Sequence, residues 1–98
     1  MTMSALPFDV DTLIELCRQS GVVRILLFGS MARGEADEES DIDLLVEFSK
    51  PISLLRLVAL ERELSSALGR KADVLTEAAI SPYLRERVRS EAQVIYEA

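Results

Sequence analysis

The sequence predicts an α/β (α+β) domain of two layers, with helices packed on a small mixed sheet of three or four strands. Three observations carry that expectation. Apolar residues recur at helical spacing in three separate segments, short β-branched apolar runs lie between them, and glycine or polar breaks divide the segments. The 98 residues show no internal repeat, linker or low-complexity tract, so residues 1–98 read as one domain.

From Asp9 to Ser20 the apolar positions Val10, Leu13, Ile14 and Cys17 fall on one helix face, which assigns Cys17 to the core, and Gly21 closes the segment. Val22 to Phe28 is a buried strand, broken by Gly29-Ser30. Met31 to Glu35 follows as a short helix or turn, and Asp37 to Ser40 as a polar loop. Asp41 to Phe48 alternates, with Ile42, Leu44, Val46 and Phe48 on one side and Asp41, Asp43, Leu45 and Glu47 on the other. Ser53 caps a long helix carrying Leu54, Leu57, Val58, Leu60, Leu64 and Leu68, stopped at Gly69. Lys71 to Thr76 is a third short strand. Ser81 and Pro82 then open a last helix, Tyr83 to Glu97, with Leu84, Val88, Ala92 and Ile95 on one face. The short link between the first two strands favours a mixed sheet over a wholly parallel one.

Composition narrows the chemistry. No histidine occurs, which removes Ser-His-Asp and Cys-His nucleophile systems and histidine-based zinc sites. A single cysteine removes an internal disulfide and any cysteine cage. What remains is carboxylates, hydroxyls, Lys and Arg, or a hard metal ion held by oxygen. With 17 acidic against 11 basic residues the formal charge is −6, so direct nucleic-acid binding is not expected. A nucleotide carried with its own cation is compatible with that charge. Met1 to Pro7 has no signal-peptide pattern and the apolar runs are short, so a cytoplasmic protein without a membrane segment is expected.

The unusual feature is Asp41 and Asp43 on one face of an otherwise apolar strand, about 7 Å apart along the backbone. Like charges that close call for a neutralising partner, and magnesium takes one or two carboxylates together with phosphate oxygens. If the third strand pairs beside the second, Asp73 joins them, and three carboxylates can hold two ions. Taken alone, an Asp-x-Asp pair is equally a turn cap and a solvated sheet face, although Leu45 on that face weighs against this. Gly29-Ser30 after a buried strand suits a phosphate, since glycine permits close approach and Ser30 can donate; a tight turn explains it as well. Arg33 either reaches a phosphate or pairs with Glu35 or Glu38.

Taken together, Gly29-Ser30, ten residues, then Asp41-Ile42-Asp43, and Asp73 in a later strand resemble the minimal nucleotidyltransferases of the DNA polymerase beta superfamily. The matching stretches are GSMARGEADEESDIDLLVEF, from Gly29, and GRKADVLTEAAISPYLRERVRSEAQVIYE, from Gly69, and the likeness covers nearly the whole chain from Val22. The resemblance implies the two-layer nucleotidyltransferase fold, magnesium (two ions) at Asp41, Asp43 and Asp73, and nucleotide triphosphate at Gly29 and Ser30, with Arg33 a further nucleotide-binding candidate. Stand-alone domains this short resemble the antitoxins of HEPN/minimal-nucleotidyltransferase pairs. That implies transfer of AMP from ATP to a tyrosine hydroxyl of a partner HEPN ribonuclease toxin. Met31 departs from the family, which often carries a basic residue there, and the acidic run Glu35 to Glu39 does not favour a triphosphate. Two other functions fit the same residues: an antitoxin that inhibits by binding alone, and the catalytic subunit of a small-molecule (antibiotic-type) nucleotidyltransferase.

Overall fold

Asp9 opens the first helix: its carboxylate accepts from the Thr12 N–H at 3.2 Å and from the Thr12 hydroxyl at 2.8 Å. The computed structural model describes residues 8–29, 41–76, 80 and 82–98. Helix α1, Val10–Gln19, buries Leu13 and Cys17, and ends where the Gly21 N–H donates to the Arg18 carbonyl with Gly21 at φ 91°. Strand β1, Val22–Phe28, then pairs antiparallel with β2, Ile42–Phe48, placing Phe28 opposite Asp43 and Val22 opposite Phe48. A register shift between Val22 and Arg24 lets both Val22 and Ile25 turn inward.

Helix α2, Leu54–Leu68, has the predicted Ser53 cap, whose hydroxyl accepts from the Arg56 N–H at 3.2 Å, and it ends at Gly69 in the left-handed region. It buries Leu60 and Leu64 and returns the chain to β3, Ala72–Thr76, which pairs parallel with β2. Among the described residues the strands form one mixed sheet in the order β3-β2-β1-β4. One face meets α1 and α2 through Leu13, Cys17, Leu60 and Leu64 over Ile25, Leu27, Ile42, Leu44, Val46 and Val74. On the other face Leu26, Leu45 and Ile80 form a smaller cluster.

The C-terminal segment departs from the helical expectation. Helix α3 covers only Pro82–Glu91, and Gln93–Glu97 is strand β4, antiparallel to β1. Val88 and Ala92 do pack together, against the smaller cluster, but Ile95 belongs to the strand and packs on the main core. The helical spacing of Val88, Ala92 and Ile95 is coincidental. Val94-Ile95-Tyr96 is a β-branched and aromatic run beside the unpaired edge of β1, and the ladder it gains there outweighs continuing the helix. The expected short helix at Met31 to Glu35, the loop at Asp37 to Ser40 and the Ser81 cap lie outside the described residues. No described helix is long and apolar enough to cross a membrane.

Candidate active site

The parallel register of β2 and β3 sets Asp43 directly beside Asp73, with Ile42 beside Ala72 and Leu44 beside Val74. Because side chains alternate, the buried Ile42, Leu44, Ala72 and Val74 fix the core face. Asp43 and Asp73 therefore share the opposite face, and Asp41, two residues before Asp43, lies on that side as well. Asp41 is exposed, whereas Asp43 and Asp73 are half-buried. The three carboxylates foreseen from the sequence thus stand on one face of two adjacent strands.

Gly29 closes the third side. It stands at φ 75°, and a Cβ there would lie 2.5 Å from Asp43 Oδ2 and 3.3 Å from its Cγ. Only glycine combines that backbone angle with that approach, so the end of β1 and the Asp43 carboxylate are fitted against each other. Ser30 and Arg33, the other two nucleotide-binding candidates, lie outside the described residues.

The same sheet face carries other charges, and they behave differently. Arg24 Nη1 lies 3.0 Å from Glu47 Oε2, and its Nε lies 3.5 Å from Glu97 Oε2. These groups neutralise one another, and being partly exposed they add little stability. The carboxylates of Asp41 and Asp73, by contrast, enter no hydrogen bond or ion pair with the described residues. They are available to a ligand.

Residues the sequence reading overlooked hold β3 in place. The outer edge of β3 donates the Val74 N–H to Glu61 Oε2 at 2.7 Å and the Ala72 N–H to Ser65 Oγ at 3.0 Å. Both acceptors stand on α2, one turn apart. Their signal was the polar pair four residues apart beside the buried Leu60 and Leu64, on the helix that leads into the strand. The edge carrying Asp73 is thereby sealed and fixed.

An all-carboxylate donor set suits a hard cation, and the absent Cβ of Gly29 lets the Asp43 carboxylate stand close against the end of β1. Among the described residues no three acidic, histidine or cysteine side chains are gathered tightly enough to hold an ion by themselves. The set fits magnesium, which takes one or two carboxylates and fills its shell with water and phosphate oxygens.

Comparison with known proteins identifies the family. The model of the nucleotidyltransferase domain family matches residues 9–95. A Methanocaldococcus jannaschii protein, provisionally described as a protein adenylyltransferase, is 49% identical over 80 residues, 82% of this chain and 86% of that protein. The protein adenylyltransferase MntA of Thermococcus cleftensis is 39% identical over 82 residues, 84% of this chain and 81% of its own length. A chain in the crystal structure of a toxin–antitoxin complex with AMP-PNP superposes with a TM-score of 0.81 at 26% identity, covering 90% of this chain and 73% of that one.

Proposed function

This chain belongs to the nucleotidyltransferase domain family, and on that premise we propose that it transfers AMP from ATP to a tyrosine hydroxyl of a partner HEPN-type toxin, silencing it as an antitoxin. The observation that carries the reading is the pairing of Asp43 with Asp73 on the sheet face opposite the main core, with Asp41 in line and Gly29 fitted against Asp43. The adenylyltransferase relatives support AMP as the transferred group. The likeness to a toxin–antitoxin complex with AMP-PNP supports both the nucleotide and a protein partner.

Asp41, Asp43 and Asp73 would hold magnesium. When bound it neutralises the triphosphate and polarises the α-phosphorus. Gly29, with Ser30 and Arg33 following it, holds the triphosphate at the end of β1. Asp73, on the far side of Asp43 from Gly29, faces the acceptor and takes the proton from its hydroxyl; with no histidine in the chain, a carboxylate is the base at hand. The new bond joins the acceptor oxygen to the α-phosphorus as the bond to pyrophosphate breaks.

The test is intact-mass spectrometry of the protein with whatever co-purifies from its own host, before and after Mg-ATP. A partner that gains AMP units with the wild-type chain, and none with Asp43→Asn, is the expected result. A bound partner whose mass never changes would replace this reading with inhibition by binding alone. The absence of a protein partner would point to a small-molecule acceptor.

A further inference from the structure

Across this sheet face the site residues follow a fixed order: Gly29 after β1, Asp43 on β2, Asp73 on β3. Asp41 and Lys71 are the residues immediately before the first pair of the β2–β3 register, Ile42 with Ala72. The Lys71 peptide is held at the start of that pairing, because its carbonyl accepts from the Ile42 N–H at 2.8 Å. Alternation along the strand turns Lys71 to the face of Asp73. The backbone at Lys71 is pinned on its other side too, by the Ala72 N–H on Ser65 Oγ at 3.0 Å. Lys71 is exposed, and its ammonium enters no ion pair among the described residues although three carboxylates share its face. An unpaired cation with a fixed base, at the rim of an acidic site, is placed to meet something that arrives.

The side on which it stands identifies the arrival. In phosphoryl transfer the attacking and leaving oxygens lie roughly in line on opposite sides of phosphorus. With the triphosphate against Gly29, pyrophosphate departs on the β1 side and the acceptor enters over β3. We infer that Lys71 is an acceptor-binding residue, its ammonium donating a hydrogen bond to the acceptor hydroxyl oxygen beside Asp73. A second cation, beside the magnesium that the three carboxylates would hold, helps there because that oxygen gains negative charge as it loses its proton. The oxygen–phosphorus bond forms, the bond to pyrophosphate breaks with its electron pair, the hydroxyl proton passes to Asp73, and Lys71 keeps its own. This inference rests on the proposed transfer to a protein hydroxyl and adds the residue that holds the acceptor.

The experiment compares wild type, Lys71→Ala and Lys71→Arg, with the co-purified partner as acceptor and AMP-PNP binding followed separately by calorimetry. Lys71→Ala is expected to lose about tenfold or more in kcat/KM for the acceptor, the scale of one charge-assisted hydrogen bond, while AMP-PNP affinity stays within about twofold. Lys71→Arg restores most of the loss. A parallel fall in AMP-PNP affinity would overturn the inference by assigning Lys71 to the nucleotide, and unchanged kinetics would overturn it by leaving the residue idle. If the wild-type chain binds AMP-PNP but modifies no protein, the failure lies in the acceptor reading itself, and the inference falls with it.

Discussion

Replacing Gly29 by alanine separates backbone strain from damage to the site, because the chain contains its own control. Gly29 and Gly69 stand at nearly the same backbone angle, φ 75° and 71°, but a Cβ on Gly69 meets nothing within 4 Å. Each substitution forces a non-glycine residue into the left-handed region at about 1–2 kcal/mol, offset by up to ~1 kcal/mol of lost unfolded-state entropy. From this backbone cost alone the two variants should melt lower by similar amounts, about 4–8 °C for each net kcal/mol in a domain of this size. Only Gly29→Ala also presses on Asp43. Its Oδ2 stands 2.5 Å from the new Cβ, and ordinary contact begins at 3.4 Å, so the carboxylate oxygen must retreat by about 1 Å. The oxygen is the far end of a rotatable side chain, so the extra stability cost is limited to about 0.5–1.5 kcal/mol. A misplacement of that size in a reacting array costs roughly 100-fold in rate. Thermal denaturation and Mg-ATP-dependent AMP transfer, measured on both variants, should show a melting loss in both, larger by about 2–12 °C in Gly29→Ala, and a rate loss confined to Gly29→Ala. Equal rate losses in the two, or full activity in Gly29→Ala, would refute the argument that Gly29 is reserved for the space against Asp43.

The sealed edge of β3 and the buried thiol give two further tests. Glu61→Leu orphans the Val74 N–H and should destabilise the fold by about 1–3 kcal/mol in urea, whereas Glu61→Gln keeps an acceptor and should lose much less. Ser65→Ala should act in the same direction through Ala72. Burial pushes the Cys17 thiol up from 9.0 to about 12. The folded chain thus keeps a proton that the unfolded chain releases, so stability is full below about pH 9 and falls as pH rises from there toward about 12. Denaturation across that range should show the decline in wild type and a shallower one in Cys17→Ala. The native thiol should also resist alkylation until the protein unfolds.

How far the sequence disclosed this molecule depended on whether a residue's role was local. The Ser53 cap, the Gly69 stop, the buried Cys17 and the alternation of β2 were legible because neighbours a few residues away decide them. The shared face of Asp41 and Asp43 was legible for the same reason, while Asp73 could be added only on the condition that β3 pairs with β2, which it does residue for residue. Strand β4 was hidden because Val88, Ala92 and Ile95 continue a helical period and nothing local reports the free edge of β1. The Arg24–Glu47–Glu97 group was hidden with it, since it joins three strands, one of them β4. Glu61 and Ser65 looked like an ordinary polar helix side until β3 lay beside them.

The strand that was hidden changes how the site is built. Without β4, β1 would be an edge, and its end at Gly29 would be held from one side only. With it, β1 and β2 are the two interior strands, each paired on both flanks; β2 supplies Asp43, and Gly29 and Asp41 adjoin their ends. Asp73 alone sits on an edge strand, where one flank lacks a partner. That flank is the one α2 closes with Glu61 and Ser65. Asp43 is therefore fixed on both sides by the sheet, Asp73 by the sheet on one side and by a helix standing in for the missing strand on the other, while Gly29 and Asp41 stand directly at the ends of the two interior strands. A carboxylate array that must meet a triphosphate within fractions of an ångström requires that rigidity. Loosening the helix contact should thus damage the reaction at the Asp73 side first: Glu61→Leu should weaken use of the acceptor before it weakens binding of AMP-PNP.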